Sequence, residues 1–170
     1  LQLTTPKLTT EEKIWKLLEE VSDPEIPVLS ILDLGVLRQV QVQEDGRVQV
    51  TITPTYSGCP AMNTIAADVK LKLLSKGFNN VAVDLQLSPA WTTDWLTPEG
   101  KRKLEEYGIA PPVEPNGDIH ALFGRDPVVR CPRCHSENTK LISQFGSTSC
   151  KAHYQCEACL EPFDYFKCLK

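Results

Sequence analysis

Apolar and polar positions follow two rhythms along this chain. Ile14, Leu17, Leu18 and Val21 recur at helical spacing, and Thr9 with Glu12 has the spacing of a capping box. These features predict a first helix that begins at Thr9 and is ended by Pro24 and Pro27. Residues 37–43 and 47–53 read as two strands joined by the hairpin signal Glu44-Asp45-Gly46. Val48, Val50 and Ile52 alternate with Gln49, Thr51 and Thr53, so one face is expected to be buried. Pro60 suits the first turn of a second helix, with Met62, Ile65, Ala66, Val69 and Leu73 on one face and Gly77 as its stop. Val81, Val83, Leu85 and Leu87 alternate as a third strand. Thr97-Pro98-Glu99 opens a third helix ending near Gly108. The order α-β-β-α-β-α describes a small α+β domain.

Composition then divides the chain. Its 170 residues allow one ordinary domain and a small second module. Residues 1–110 hold the amphipathic patterns and a single Cys. Residues 111–127 contain Pro111, Pro112, Pro115 and Pro127 with the turn signal Asn116-Gly117, and read as a linker. Residues 128–170 hold the other six of the 7 Cys. The linker separates two cores, which are therefore expected to fold independently. A net charge of -4 offers no basic field for nucleic acid, and the short apolar runs cannot span a bilayer. The first residues lack the basic-then-apolar pattern of a secretory signal. An odd, lopsided Cys count without such a signal favours metal over disulfides, and so a reducing, cytoplasmic setting.

The strongest chemical signal is Cys131-Pro132-Arg133-Cys134 followed by Cys156-Glu157-Ala158-Cys159, with 21 residues between the pairs. Two residues between thiolates let one turn aim both sulfurs at one ion, and two such knuckles complete a tetrahedron. Strand-like runs between and after the pairs make this a zinc ribbon. Four thiolates leave no open position, so the zinc is expected to be structural, in a module too small to fold on apolar burial alone. Iron is the competing ion, because it accepts the same ligands. His135, directly after the first knuckle, is assigned to its surroundings. Residues 128–170 carry six Lys and Arg against four Asp and Glu, a net of +2 without a basic stripe. A nucleic-acid ribbon is therefore disfavoured.

Three further groups are singled out. Cys59 lies in Thr53-Pro54-Thr55-Tyr56-Ser57-Gly58-Cys59-Pro60, between a strand end and a helix start. Helix N-terminal amides lower a thiol pKa, and Gly58 lets the chain turn sharply beside the sulfur. Cys59 is thus a candidate nucleophile or cluster ligand; a small buried residue capping the helix is the alternative reading. Cys150, in Phe145-Gly146-Ser147-Thr148-Ser149-Cys150-Lys151, is an extra ligand, a free thiol activated by Lys151, or a half-buried thiol. Asp23-Pro24-Glu25-Ile26-Pro27 and Asp33 supply carboxylates in a proline-constrained loop, where an ordinary turn is the plain reading. Trp91 and Trp95 read as core or rim packing. The only His are His120, His135 and His153, outside any di-iron pattern, and no nucleotide or flavin motif is present.

Asp23-Pro24-Glu25-Ile26-Pro27 with Ile31-Leu32-Asp33-Leu34-Gly35, and the stretch from Thr53 to Pro60, together resemble the family of small iron–sulfur cluster assembly factors over residues 9–108. The resemblance implies a compact α/β sandwich, with the family's functional thiol at Cys59 and a supporting loop of Asp23, Glu25, Thr55 and Gly58. Adding Thr92-Thr93-Asp94-Trp95, the 107–112 stretch, the first knuckle and the Cys150 loop, the chain resembles those ribbon-bearing relatives that serve bacterial phenylacetate breakdown. That implies a non-enzymatic maturation factor for a multicomponent phenylacetyl-CoA ring epoxidase, holding an iron–sulfur cluster or iron transiently at Cys59. A redox component with iron in the four-Cys site is the alternative. The implied partners are oxygenase subunits, the reductase first among them, and a second copy of the chain is admissible. Nucleic acid and membrane are not expected.

Overall fold

A computed structural model describes residues 9–113 and 127–169. Most of the expected linker, including Pro115, Asn116-Gly117 and His120, lies outside them. Helix α1 (Thr10–Leu18) starts at the predicted capping box: the Thr9 side chain accepts from the Glu12 amide, and the Glu12 carboxylate accepts from the Thr9 amide. Strands β1 (Leu37–Val42) and β2 (Val48–Ile52) form the predicted antiparallel hairpin. Val48, Val50 and Ile52 all face the core. Helix α2 (Ala61–Ser75) carries the chain to β3 (Val81–Leu85), which pairs parallel with β2. This β2-α2-β3 crossover gives a three-stranded sheet of order β1-β2-β3. Being an edge strand, β3 is less enclosed than its alternation implies: Leu85 and Leu87 are exposed.

A helical turn at Thr93–Trp95 precedes α3 (Pro98–Tyr107), which is capped by Thr97 and stopped at Gly108 as predicted. Trp91 is buried and donates its indole N–H to the Leu34 carbonyl at 2.8 Å; Trp95 lies under the Arg38 guanidinium. Gly35 is required where this segment crosses the loop before β1. Its φ is +66°, and a Cβ there would stand 2.4 Å from the Trp95 carbonyl oxygen.

The C-terminal sheet has the order β4-β7-β6-β5. Strands β5 (Thr139–Ser143), β6 (Lys151–Cys156) and β7 (Pro162–Phe166) form the expected antiparallel ribbon. Strand β4 (Ile109–Ala110), from just after α3, adds to β7 in parallel. Its two residues are too short for a periodic signal.

The two modules are not insulated. Ala110 joins the ribbon's small core, around Val129, Ala152, Tyr154, Phe163 and Tyr165. In return, Cys150 and Phe166 belong to the core built on the first sheet. Phe166 is 1% exposed and packs on Trp91 with ring centroids 6.0 Å apart. The Leu169 carbonyl accepts from both the amide and the hydroxyl of Thr93. The expectation of independent cores fails because each module fills a hole in the other. Phe166→Ala should therefore destabilise the chain by about 3–5 kcal/mol. Tryptophan fluorescence and ribbon amide signals should report one shifted unfolding transition; a shift confined to the ribbon would contradict the shared core.

Candidate functional site

The thiol loop begins where β2 ends. The Thr53 amide donates to the Val36 carbonyl at 2.9 Å, which fixes the loop's departure from the sheet. The Cys59 amide donates to the Tyr56 carbonyl, and the Cys59 carbonyl accepts from the Met62 amide at the start of α2. Gly58, at φ +83°, makes the left-handed turn between them, where any other L residue is strained. The Cys59 sulfur ends half-buried at the helix entrance, as expected, and Thr55 sits half-buried on the same loop.

The acidic loop meets it from the other side. Asp23 Oδ1 accepts from the amides of Glu25 and Ile26, both at 2.8 Å, and the Asp23 amide donates to the Leu29 carbonyl. Asp23 thus shapes the loop as an Asx turn. Glu25 is left half-buried, and burial followed by repulsion from Asp23 pushes its carboxyl pKa up.

This environment reverses the expected acidity of Cys59. Burial pushes its thiol pKa up, and Glu25 and Asp23 add to that. The Ala61 amide and the Tyr56 hydroxyl pull the other way without prevailing. The helix entrance does favour thiolate, but two carboxylates from a distant loop stand over it. Cys150 departs from expectation in the same sense. Burial dominates, Glu25 adds to it, and Thr148 and Lys151 only offset the rise. Sequence reasoning also missed Tyr56, whose pKa is pushed up by burial and by Cys59, with Ser149 pulling the other way. No local pattern links residues 56 and 149.

Asp33 has a different task. Its Oδ2 accepts from the Ser30 amide and hydroxyl, both at 2.9 Å, and from Lys103 on α3 at 2.7 Å. Burial alone would raise its pKa. The Lys103 and Ser30 hydrogen bonds outweigh that and hold it below its ordinary value of 3.8. Asp33 therefore ties the acidic loop to α3.

The four knuckle cysteines converge. Their sulfurs lie within 4.8 Å of one another, the only such metal-sized group among the described residues. Cys131 and Cys159 Sγ are 3.8 Å apart, and Cys134 and Cys156 Sγ 3.5 Å. A tetrahedron with metal–sulfur bonds of about 2.3 Å has edges of roughly 3.8 Å, so the donor set fits one ion held by four sulfurs. The knuckles turn alike: His135 and Leu160, each directly after a second Cys, have φ of 61° and 67°. His135 is exposed and lies 3.6 Å from Glu105. The crowded sulfurs divide one another's acidity. The Cys159 amide lowers Cys156 to about 7. Cys159 rises to about 12: the Glu161 amide lowers it, but burial and the thiols of Cys134, Cys156 and Cys131 together prevail. A bound cation is what lets all four ionise together.

A small α+β domain with a half-buried thiol at a helix entrance, joined to a four-Cys β ribbon, defines an iron–sulfur assembly domain carrying a zinc-ribbon module. The family models agree: an iron–sulfur cluster assembly protein domain matches residues 11–85, and a PaaD zinc beta ribbon domain matches residues 115–167. The chain is 52% identical over 157 residues to a protein of Escherichia coli K12 named as a putative component of the 1,2-phenylacetyl-CoA epoxidase, covering 92% of each, and it belongs to that protein's family. It is 44% identical to an "Fe-S protein maturation auxiliary factor" of Porphyromonas gingivalis, over 57% of this chain and 92% of the other. Among solved structures, a domain of unknown function, DUF59, from Bacillus anthracis superposes with a TM-score of 0.52 at 31% identity. The match covers 55% of this chain and 90% of that one.

Two outcomes follow from this geometry. Asp33→Asn should cost about 1–3 kcal/mol at neutral pH, the range for losing charged hydrogen bonds. Because the folded pKa is depressed, Asp33 stabilises the chain above its unfolded pKa. That contribution disappears as pH falls through the folded value. Chemical denaturation of variant and wild type should therefore converge below about pH 4; a constant difference across pH would refute the ionic role. Cys131→Ser should lower the metal content of the purified chain from one ion towards none, read by elemental analysis. Unchanged content would mean that the knuckles are not the site.

Proposed function

We propose that this chain is a non-catalytic maturation factor for the iron–sulfur centre of a multicomponent phenylacetyl-CoA ring 1,2-epoxidase. The observation that carries this reading is the 52% identity to the Escherichia coli protein named as an epoxidase component, over 92% of both chains. The likeness of the first domain to a named iron–sulfur maturation factor supplies the kind of work.

The chain's two sulfur sites suit different duties. The four-thiolate group is closed and holds a structural zinc through Cys131, Cys134, Cys156 and Cys159. Zinc needs no open position there, and the ribbon's few buried side chains need the ion to fold. Cys59 is the functional thiol. A single half-buried sulfur at a loop leaves positions on an iron or a cluster for a receiver's cysteines, which transfer requires. Gly58 sets its direction, Asp23 and Glu25 form the opposing wall, and Thr55 belongs to the loop that presents it. The receiving partner is the reductase component in the cytoplasm, because a plant-type cluster needs assembled sulfide as well as iron. No helix among the described residues is long and apolar enough to cross a membrane.

Co-production of the epoxidase components with and without this chain tests the proposal. The reductase made with the chain should carry more iron and sulfide. Cys59→Ala should fold normally, retain its zinc and lower reductase cluster content to the level reached without the chain. Equal cluster content in all three preparations would reject delivery. The chain alone should show no turnover of phenylacetyl-CoA with reduced nicotinamide and oxygen.

A further inference from the structure

In a chain of net charge -4, one surface gathers uncompensated lysines. Lys13 and Lys16 on α1 and Lys76 at the end of α2 rim a groove of about 470 Å³, whose apolar walls are Leu17 and Phe78. All three lysines are exposed, and none has an ion-pair partner among the described residues. Glu20 is the groove's one carboxylate, and Lys72 already holds it. Of the nearby carboxylates, Glu12 is spent on the capping box, and neither Glu11 nor Glu19 lines the groove. Backbone bonds fix the groove's shape. The Gly77 amide donates to the Leu74 carbonyl and the Phe78 amide to the Leu73 carbonyl, both at 3.1 Å. With Gly77 at φ +91°, this is the Schellman pattern, and it turns Phe78 back onto the core. Leu17 rests on the same core from α1, beside the fully buried Ile14 and Leu18. Both walls are half-buried, packed on the core behind and open to the groove in front.

The groove does not stand alone. Glu20 is shared with a second groove, of about 550 Å³, that runs along α2 past Lys72, Leu71 and Asp68 to Asp23 and Pro24 of the acidic loop. Leu71 is 64% exposed there. The two grooves make one track along α2, basic at the far end and acidic near the loop. Helix α2 is 15 residues long. About 22 Å of helix therefore separate the lysines from the entrance at Cys59. A partner seated at the lysines leaves the thiol uncovered.

We propose that this groove docks an acidic segment of the protein that receives the cluster. One apolar side chain of that segment sits between Leu17 and Phe78, and its carboxylates meet Lys13, Lys16 and Lys76. The inference rests on the delivery reading and adds where the recipient is held. Charge and shape together select a peptide. A membrane or a nucleic acid presents continuous negative charge, which Glu20, Asp68 and Asp23 along the same track repel. A segment with a few carboxylates around one apolar anchor finds a complement for each part. Such rim charges steer the encounter and make it sensitive to salt.

The test is calorimetric titration of the full chain, its four-Cys metal in place, with the purified reductase component at low and high salt. Wild type is compared with a triple charge reversal (Lys13→Glu, Lys16→Glu, Lys76→Glu), with the matching triple arginine variant and with Phe78→Ala. Wild-type affinity should fall as salt rises. The triple reversal should lose at least about tenfold in affinity with its unfolding midpoint and zinc unchanged, and the triple arginine variant should bind like wild type. Phe78→Ala should weaken binding and keep the salt dependence. Should it fail to fold, the three exposed lysines decide the question. Wild-type affinity in the triple reversal would overturn the docking surface, as would failure of wild type to bind the reductase. Binding found only with phosphatidylglycerol vesicles, with duplex DNA or with a second copy of the chain would overturn it too. The delivery reading is judged apart from these outcomes, by reductase cluster content under Cys59→Ala.

Discussion

Phe166 and Cys150 leave the ribbon's own core and fill the core of the preceding domain, while Ala110 crosses in the opposite sense. This exchange governs the rest of the structure. A module of about forty residues buries too little surface to hold a loop in one place by itself. With Phe166 locked against Trp91, and Trp91 bonded to the Leu34 carbonyl, the ribbon gains the rigidity of the larger sheet. The loop before β6 is then held against the first domain through Cys150. The four-Cys metal fixes the far end of the same β strands, since Cys156 closes β6.

The surroundings of the thiol loop are drawn from segments far apart in sequence. The 53–60 turn presents Cys59, the 23–26 turn presents Glu25, and Cys150 of the 146–151 loop packs into the core against which Cys59 rests. Asp23 and Asp33 lie in one stretch of sequence, but one shapes the turn and the other ties it to α3 through Lys103. Burial, with Glu25 and Asp23 adding to it, favours the thiol form of Cys59 over the thiolate.

Much of this was legible in the sequence because it is local. The Thr9 capping box, the Glu44-Asp45-Gly46 hairpin and the Thr97 cap each sit within one or two turns of chain. The spacing of the knuckle cysteines was sufficient to bring four sulfurs together. What stayed hidden is non-local. The two residues of β4 are too short for periodicity, and nothing near Phe166 or Cys150 marks them as belonging to another core. The acidity of Cys59 was read from its helix entrance alone, whereas its sign is set by burial and by carboxylates on the loop after α1.

Cys59 is the proposed cargo site, apart from the four-Cys group. The most direct measurement is an amide-resolved NMR spectrum of the zinc-loaded chain during anaerobic addition of ferrous iron, which broadens the signals of nearby residues. The account predicts early broadening at residues 23–26 and 56–61, with residues 131–134 and 156–159 unaffected. Broadening confined to the two knuckles would contradict it.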